Sequence, residues 1–296
     1  MATLRDIKRR ITSVKSTQQI TRAMKMVSAA KLNRAQMAVK EAQPYAEIMR
    51  RIVMTVSENT AGNDHPFFAE NTAEKNLVIV FSSDRGLCGT FNSGLNRFLT
   101  GKLRRKEIPH PELFLVGQKG YDWFKRMGYP IRDHILHKKP VDLPDAVKQA
   151  IHQATDDFLE KKYARVYMAY NTFYNPLRQE PTLIQLLPVV SDVQEAEKPN
   201  PAHGHTEEPA MTSSFLYEPS QEEILSHLLP QYLENQAFTA LLNTFAGEHG
   251  SRMVAMEGAT KNAGEMIHKL TLQYNRMRQA VITRELIEII NGAQSL

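Results

Sequence analysis

Apolar side chains recur at helical spacing through the first 58 residues. Leu4, Ile7, Ile11 and Val14 step by 3, 4 and 3, the pattern of a coiled-coil seam. The polar stretch Ser16-Thr17-Gln18-Gln19 interrupts it, and the stripe is expected to resume in a shifted phase at Ile20, Met24 and Val27. Ala29, Ala30, Ala35 and Ala38 keep helix propensity high. Pro44 opposes it at about 3 kcal/mol in a helix interior, which predicts a kink or restart. Residues 60–75, with Gly62-Asn63-Asp64 and His65-Pro66, read as a loop.

The pattern then changes to short β-branched runs separated by helical ones. Strands are expected at Asn76–Ser83, Leu113–Val116, Ala164–Tyr170 and Leu183–Val190, with Pro188 placing the last at an edge or end. Helices are expected at about 90–106, 118–127 and 144–161. This alternation predicts an α/β domain over 76–190 with a mainly parallel, Rossmann-like sheet. Residues 191–219 read as an acidic flexible loop: Pro199, Pro201, Pro209 and Pro219 break regular structure, and Lys198 is outnumbered by acids. A second long helix is expected over 220–296. Its clearest seam is Ala263, Ile267, Leu270, Tyr274, Met277 and Val281, stepping 4, 3, 4, 3, 4.

A 66-residue helix from Gln231 to Leu296 covers about 100 Å, which predicts a rod. Helices 1–58 and 220–296 join the same central domain and are expected to pair antiparallel, with facing residue numbers summing to about 278. Arg252 then lies opposite about residue 26, and the last twenty residues overhang. Val281, Ile282, Leu286, Ile287, Ile289 and Ile290 lie in that overhang, so another protein is expected to sheathe it.

Composition narrows the class. Hydrophobic residues are 42% of the chain and charged residues 23%, enough for a sizeable core and unlike a disordered chain. No uncharged apolar run approaches the roughly 18 residues of a membrane span, and Met1 to Arg10 lacks the apolar segment of a secretory signal. A single cysteine, Cys88, excludes an internal disulfide. Residues 1–40 hold ten Lys/Arg against Asp6 alone, a balance of +9 on a chain whose total is +5. Such a basic head suits an acidic partner: nucleic acid, anionic lipid or a carboxylate-lined protein surface.

Candidate chemistry is sparse. Asp84-Arg-Gly-Leu-Cys-Gly-Thr90 follows the first strand, where phosphate loops often sit, but it lacks the dinucleotide spacing, and no Walker loop occurs. It reads as a tight turn in which Gly86 and Gly89 take unusual backbone angles, with Cys88 as a packed thiol. His203-Gly-His205 and His134-x-x-His137 have no third ligand and read as solvated histidines. Two further readings stand beside a shaft: a basic coiled-coil nucleic-acid-binding protein with an inserted α/β domain, and a nucleotide-dependent enzyme with helical extensions.

Six segments together resemble the gamma subunit of the F-type ATP synthase. They are Ile11-x-Ser-Val-x-x-Thr-Gln-x-Ile-Thr-x-Ala-Met24, Asp84-Arg-Gly-Leu-Cys-Gly89, Gln185-Leu-Leu-Pro188, Leu216-Tyr-Glu-Pro219, Arg252-Met-Val-Ala-Met256 and Ile282-Thr-Arg-Glu-Leu-Ile-Glu-Ile-Ile-Asn-Gly-Ala293. The last carries Glu285 and Glu288 at the family's acidic positions; Gln294-Ser295 departs slightly from its usual continuation. The resemblance implies a non-catalytic central rotor shaft without a cofactor or metal. It would transmit torque between a proton-driven membrane c-ring and a catalytic ring of three alpha and three beta subunits.

The implied partners are alpha, beta and epsilon subunits and the c-ring, with no nucleic acid and membrane contact only through the complex. The implied place is the cytoplasmic face of the bacterial inner membrane. Residues matching the family's contacts with beta are Arg278, Gln279 and Thr283 at the catch, with Met24 and Arg252 lower down. Lys31 and Arg34 match contacts with beta's acidic lever, and Leu216 and Tyr217 match the ring foot. The chloroplast form's regulatory cysteine pair has no counterpart, so thiol regulation is not expected.

Overall fold

The computed structural model describes residues 3–59, 65–189 and 221–294. These form two compact units, residues 31–251 and a second unit made of residues 1–30 with 252–296. Two helices run through both, α1 (Leu4–Asn59) and the last helix of the chain, Gln221–Gln294. The expected acidic loop 191–219 lies outside the described residues.

In the larger unit a five-stranded sheet is built from β1 (Asn76–Phe81), β2 (Pro111–Val116), β3 (Ile131–Ile135), β4 (Arg165–Asn175) and β5 (Arg178–Leu187). Its order is β3-β2-β1-β4-β5. The first three neighbouring pairs are parallel, and β4 pairs with β5 antiparallel. Helices α2 (Phe91–Arg104), α3 (Gln118–Arg126) and α4 (Leu143–Leu159) supply the crossovers. The final helix is therefore α5.

Both sheet faces are covered. Because strand side chains alternate, Leu77, Ile79 and Phe81 point to one face and Val78 and Val80 to the other. On the first face pack α4 through Ile151 and Phe158, α1 through Met49 and Val53, and α5 through Leu229, Leu233 and Leu241. On the second pack Leu95 and Leu99 of α2 and Phe124 of α3. All six residues of β1 are buried, which explains its uninterrupted apolar run.

Three expectations need correction here. α1 is a single helix through Pro44, so no restart occurs there. β3 has no counterpart among the expected strands. With only two isoleucines in Ile-Arg-Asp-His-Ile and no fully buried residue, this edge strand lacks the apolar signal of β1. The last two strands are also longer than expected and make a hairpin. At its tip Asn175 Oδ1 accepts the N–H groups of Leu177 (2.9 Å) and Arg178 (2.8 Å), an Asx turn around Pro176.

In the smaller unit, α1 opens with a reciprocal cap. Thr3 N–H donates to Asp6 Oδ2 (3.0 Å), and Asp6 N–H donates to Thr3 Oγ1 (3.2 Å). These bonds hold the Asp6 carboxyl below the usual carboxylate range. The capping contribution is therefore present above the unfolded carboxylate pKa and lost as pH falls through the lowered folded value.

The start of α1 pairs antiparallel with α5 around Glu257 and Thr260. Thr260 Oγ1 donates to Thr21 Oγ1 (2.8 Å), Gln18 Nε2 donates to the Thr260 carbonyl (3.4 Å), and Lys25 pairs with Glu257 (2.5 Å). Partner numbers thus sum to 278 for Gln18 and 282 for Lys25. The seam of α5 is as its spacing predicts: Ala263 is buried, and Ile267, Leu270, Tyr274, Met277 and Val281 are half-buried.

The α1 seam differs from expectation after Val14. It keeps its phase through Gln18, Thr21 and Ser28, of which Thr21 and Ser28 are buried. Ile20 and Val27 face outward, 56% and 57% exposed. Gln18 and Thr21 continue the heptad because they hydrogen-bond across or along it: Thr21 also donates to the Gln18 carbonyl (3.0 Å). Gly264 lets Gln18 approach, since a Cβ there would lie 3.0 Å from Gln18 Nε2. The Lys25–Glu257 pair is more exposed, so Lys25→Ala is expected to lower the stability of the isolated chain by less than about 1 kcal/mol, checked by its thermal midpoint.

Candidate functional site

The turn after β1 is occupied by the protein itself. Asp84 Oδ1 accepts the N–H of Gln118 (2.9 Å), the first residue of α3, so a helix N-terminus that could meet an anion meets a carboxylate of the same chain. Ser83 N–H donates to Asn92 Oδ1 (3.0 Å), and Asn92 Nδ2 reaches Ser83 Oγ (2.8 Å) and Cys88 Sγ (3.2 Å). Cys88 is buried. Gly89 takes a left-handed conformation, as expected, but Leu87 rather than Gly86 is its companion, at φ 62°.

Among the described residues no group of three or more His, Cys, Asp or Glu side chains is placed to hold a metal ion. His134 stacks on Tyr121 with ring centroids 4.7 Å apart, and His203 and His205 lie outside the described residues.

The second candidate surface is the end of α5. Thr21 facing Thr260 sets Thr3 opposite position 278, so the helix beyond Arg278 runs past the described part of α1. Arg278, Gln279, Thr283 and Glu285 are all exposed there. Nothing is described for the Glu288 side chain, although its backbone continues α5.

Helical spacing sorts this segment into two adjacent stripes. Arg278, Ile282, Glu285 and Ile289 form one, and Gln279, Thr283, Leu286 and Ile290 the other, each stepping 4, 3, 4. The first stripe alternates charged and apolar residues, and the second is polar at its start and apolar at its end. Ile282, Leu286, Ile287, Ile289 and Ile290 are between 46% and 67% exposed, a concentration of bare aliphatic surface that a helix in water does not maintain without a partner.

The remaining residues suggested by the resemblance are scattered. Met24 is half-buried on α1 and Arg252 is buried on α5. The Thr21–Thr260 register sets Arg252 opposite Ala29, about one turn on from Met24, rather than opposite residue 26. Lys31 and Arg34 are exposed on α1 within the larger unit. Leu216 and Tyr217 lie outside the described residues. The outward residues Ile20, Met26 and Val27 were not singled out as a surface by the sequence pattern. Continuing the 3-4 spacing of Leu4 to Val14 would have placed Ile20 and Val27 off the seam.

No described helix is long and apolar enough to cross a membrane. A family model described as ATP synthase matches residues 3–296. The ATP synthase gamma chain of Trichlorobacter lovleyi is 42% identical, covering 100% of this chain and 99% of the relative. That of Desulforamulus reducens is 40% identical with full coverage of both. Among solved structures, a chain from the Euglena gracilis mitochondrial ATP synthase rotor matches with a TM-score of 0.62 at 20% identity, over 94% of this chain and 98% of that one. A chain from the central stalk and c-ring structure of the Tetrahymena thermophila mitochondrial ATP synthase matches at 0.58 and 24% identity, over 81% and 99%. With full-length identity above two fifths and a family model spanning nearly every residue, the chain belongs to the ATP synthase gamma chain family.

Proposed function

We propose that the chain is the central rotor shaft of an F-type ATP synthase. It carries torque between a membrane c-ring and a ring of alpha and beta subunits, and ATP chemistry takes place on beta. The observation that carries this reading is the exposed aliphatic end of α5, headed by Arg278, Gln279 and Thr283. A sleeve of alpha and beta subunits would bury the aliphatic side chains. The basic side chains of residues 5–34 would face carboxylates of that sleeve rather than nucleic acid. Epsilon and the c-ring would be met by the α/β domain and the lower helices, with Leu216 and Tyr217 near the ring foot. The protein would then lie at the cytoplasmic face of a bacterial inner membrane, held there through the complex.

Torque follows from differential contact. Each orientation of the shaft must stabilise a different conformation of the three beta sites, since a contact equal at every angle shifts no equilibrium. Aliphatic contact varies little with angle, whereas a guanidinium–carboxylate bond is directional and contributes about 1.5–3 kcal/mol. Lys31, Arg34, Met24 and Arg252 would add contacts with beta lower down, and Glu285 and Glu288 would join the catch.

The test mixes the chain with alpha and beta subunits and measures ATP hydrolysis and stoichiometry. Arg278→Ala and Gln279→Ala are expected to assemble and to turn over at about one tenth of the parent rate. A chain ending at Asn291 is expected to assemble less well yet turn over normally once assembled. Parent-like turnover in both point variants, with lost turnover in fully assembled truncated chains, would reverse the assignment of catch and sleeve.

A further inference from the structure

Residues 243–251 of α5 fasten the helix to the β4–β5 hairpin. Asn243, which is buried, donates through Nδ2 to the Thr239 carbonyl (2.9 Å), and its Oδ1 accepts the N–H of Phe173 (3.0 Å). That N–H lies where the β4–β5 register shifts, between Phe173 and Asn175. The helix thus takes up a strand donor at an irregularity of the ladder.

One turn later, a Cβ at Gly247 would stand 2.6 Å from Phe91 Cε2. At Gly250 it would stand 3.1 Å from Phe173 Cε2 and 3.2 Å from Pro176 Cα. Ser251 Oγ then donates to Gln179 Oε1 (2.7 Å), while Gln179 Nε2 holds the Pro176 carbonyl (3.1 Å). Residues 243, 247 and 250 share one face of the helix. Two glycines within four residues disfavour a helix interior; here Gly250 admits the β4–β5 hairpin close to the helix axis, and Gly247 admits the Phe91 ring at the start of α2.

This segment differs in kind from the rest of the α5 contact. Leu225, Leu229, Leu233, Ala237 and Leu241 meet the core through aliphatic packing, which is non-directional. Glu234 does pair with Lys148 (2.9 Å) and His152 (2.8 Å), but those partners are about half exposed or more. At 243–251 the bonds are directional, the approach is close, and α5 continues directly into Arg252, where the second unit begins. A twist applied along α5 is resisted by bonds whose energy depends on angle and by backbone that leaves no room to roll.

We infer that the Asn243–Ser251 face and the β4–β5 hairpin form the torsional joint between α5 and the α/β domain, with Asn243 and Gly250 as positioning residues. The inference rests on the shaft reading above and adds to it where the load passes.

The test uses the assembled complex with alpha and beta subunits immobilised. A bead is attached through Val141→Cys, a position 83% exposed, while the native thiol of Cys88 is buried. Asn243→Ala and Gly250→Leu are expected to keep the parent rate of ATP hydrolysis and to widen the bead's angular fluctuation between steps about two- to threefold. Gly250→Ala, whose methyl needs only a small shift of its neighbours, is expected to give an intermediate width, and Lys148→Ala the parent width. Should Gly250→Leu fail to assemble, Asn243→Ala decides. Parent widths in every assembled variant overturn the joint and leave the shaft reading intact. A parent chain that forms no rotating complex overturns both.

Discussion

A chain carrying Leu286→Glu and Ile290→Glu is expected to fold like the parent and to fail to enter a complex with alpha and beta subunits. Both side chains are more than half exposed, on the stripe that begins with Gln279 and Thr283. In the free chain, exposed substitutions of this kind change stability by about 0.5 kcal/mol or less, and glutamate suits a helix. Inside a sleeve the same change removes roughly 1.5–3 kcal/mol of burial at each position and adds the cost of desolvating two unpaired carboxylates. Together these amount to at least about 5 kcal/mol, a loss of several thousandfold in affinity. Circular dichroism melting of the free chain and stoichiometry after size-exclusion chromatography check the two halves separately. Normal incorporation of the double variant would mean that this surface stays in water.

The second large effect lies at the junction of β2 and α3. Gly117 has φ +96°, and a Cβ there would stand 2.2 Å from the Ser82 carbonyl oxygen. That oxygen belongs to backbone, held by the parallel register of β1 with β2. Gly120 N–H donates to Ser82 Oγ (2.9 Å), and Ser82 Oγ reaches the carbonyls of Val116 (3.0 Å) and Gly117 (3.1 Å), so the neighbourhood has no slack. Backbone strain and overpacking together predict a loss of about 3–5 kcal/mol for Gly117→Ala. Gly89→Ala shares the positive φ but meets open space, and should cost only about 1 kcal/mol. The urea midpoints of the two variants make the comparison, and equal shifts would contradict the steric account.

How much of this was legible depended on which residues carried the signal. The α5 seam from Ala263 to Val281 could be read because every step is apolar and none of its positions does other work. The α1 seam was lost after Val14 because its next members are Gln18, Thr21 and Ser28, whose polarity hides a heptad maintained by cross-helix bonds. The antiparallel register came within a turn of the observed one, since chain length between the helices constrains it even when the seam is obscured. β3 is hard to read because an edge strand needs few apolar residues, and the hairpin tip because its turn signal is confined to Asn175-Pro176. At the candidate surface, helical spacing alone sorts Arg278 through Ile290 into two stripes. The joint at Asn243 and Gly250 was beyond reach, because one asparagine and one glycine in a helix say nothing of the strand they meet.

The smaller unit is assembled from the first thirty residues of the chain and its last forty-five. A polypeptide leaving the ribosome therefore exposes Ile7, Ile11 and Val14 more than two hundred residues before Leu270 and Tyr274 exist to cover them. The larger unit, whose residues are contiguous, can fold during that wait. Closing the helical pair then spans almost the whole chain, but an already compact insertion shortens the effective loop.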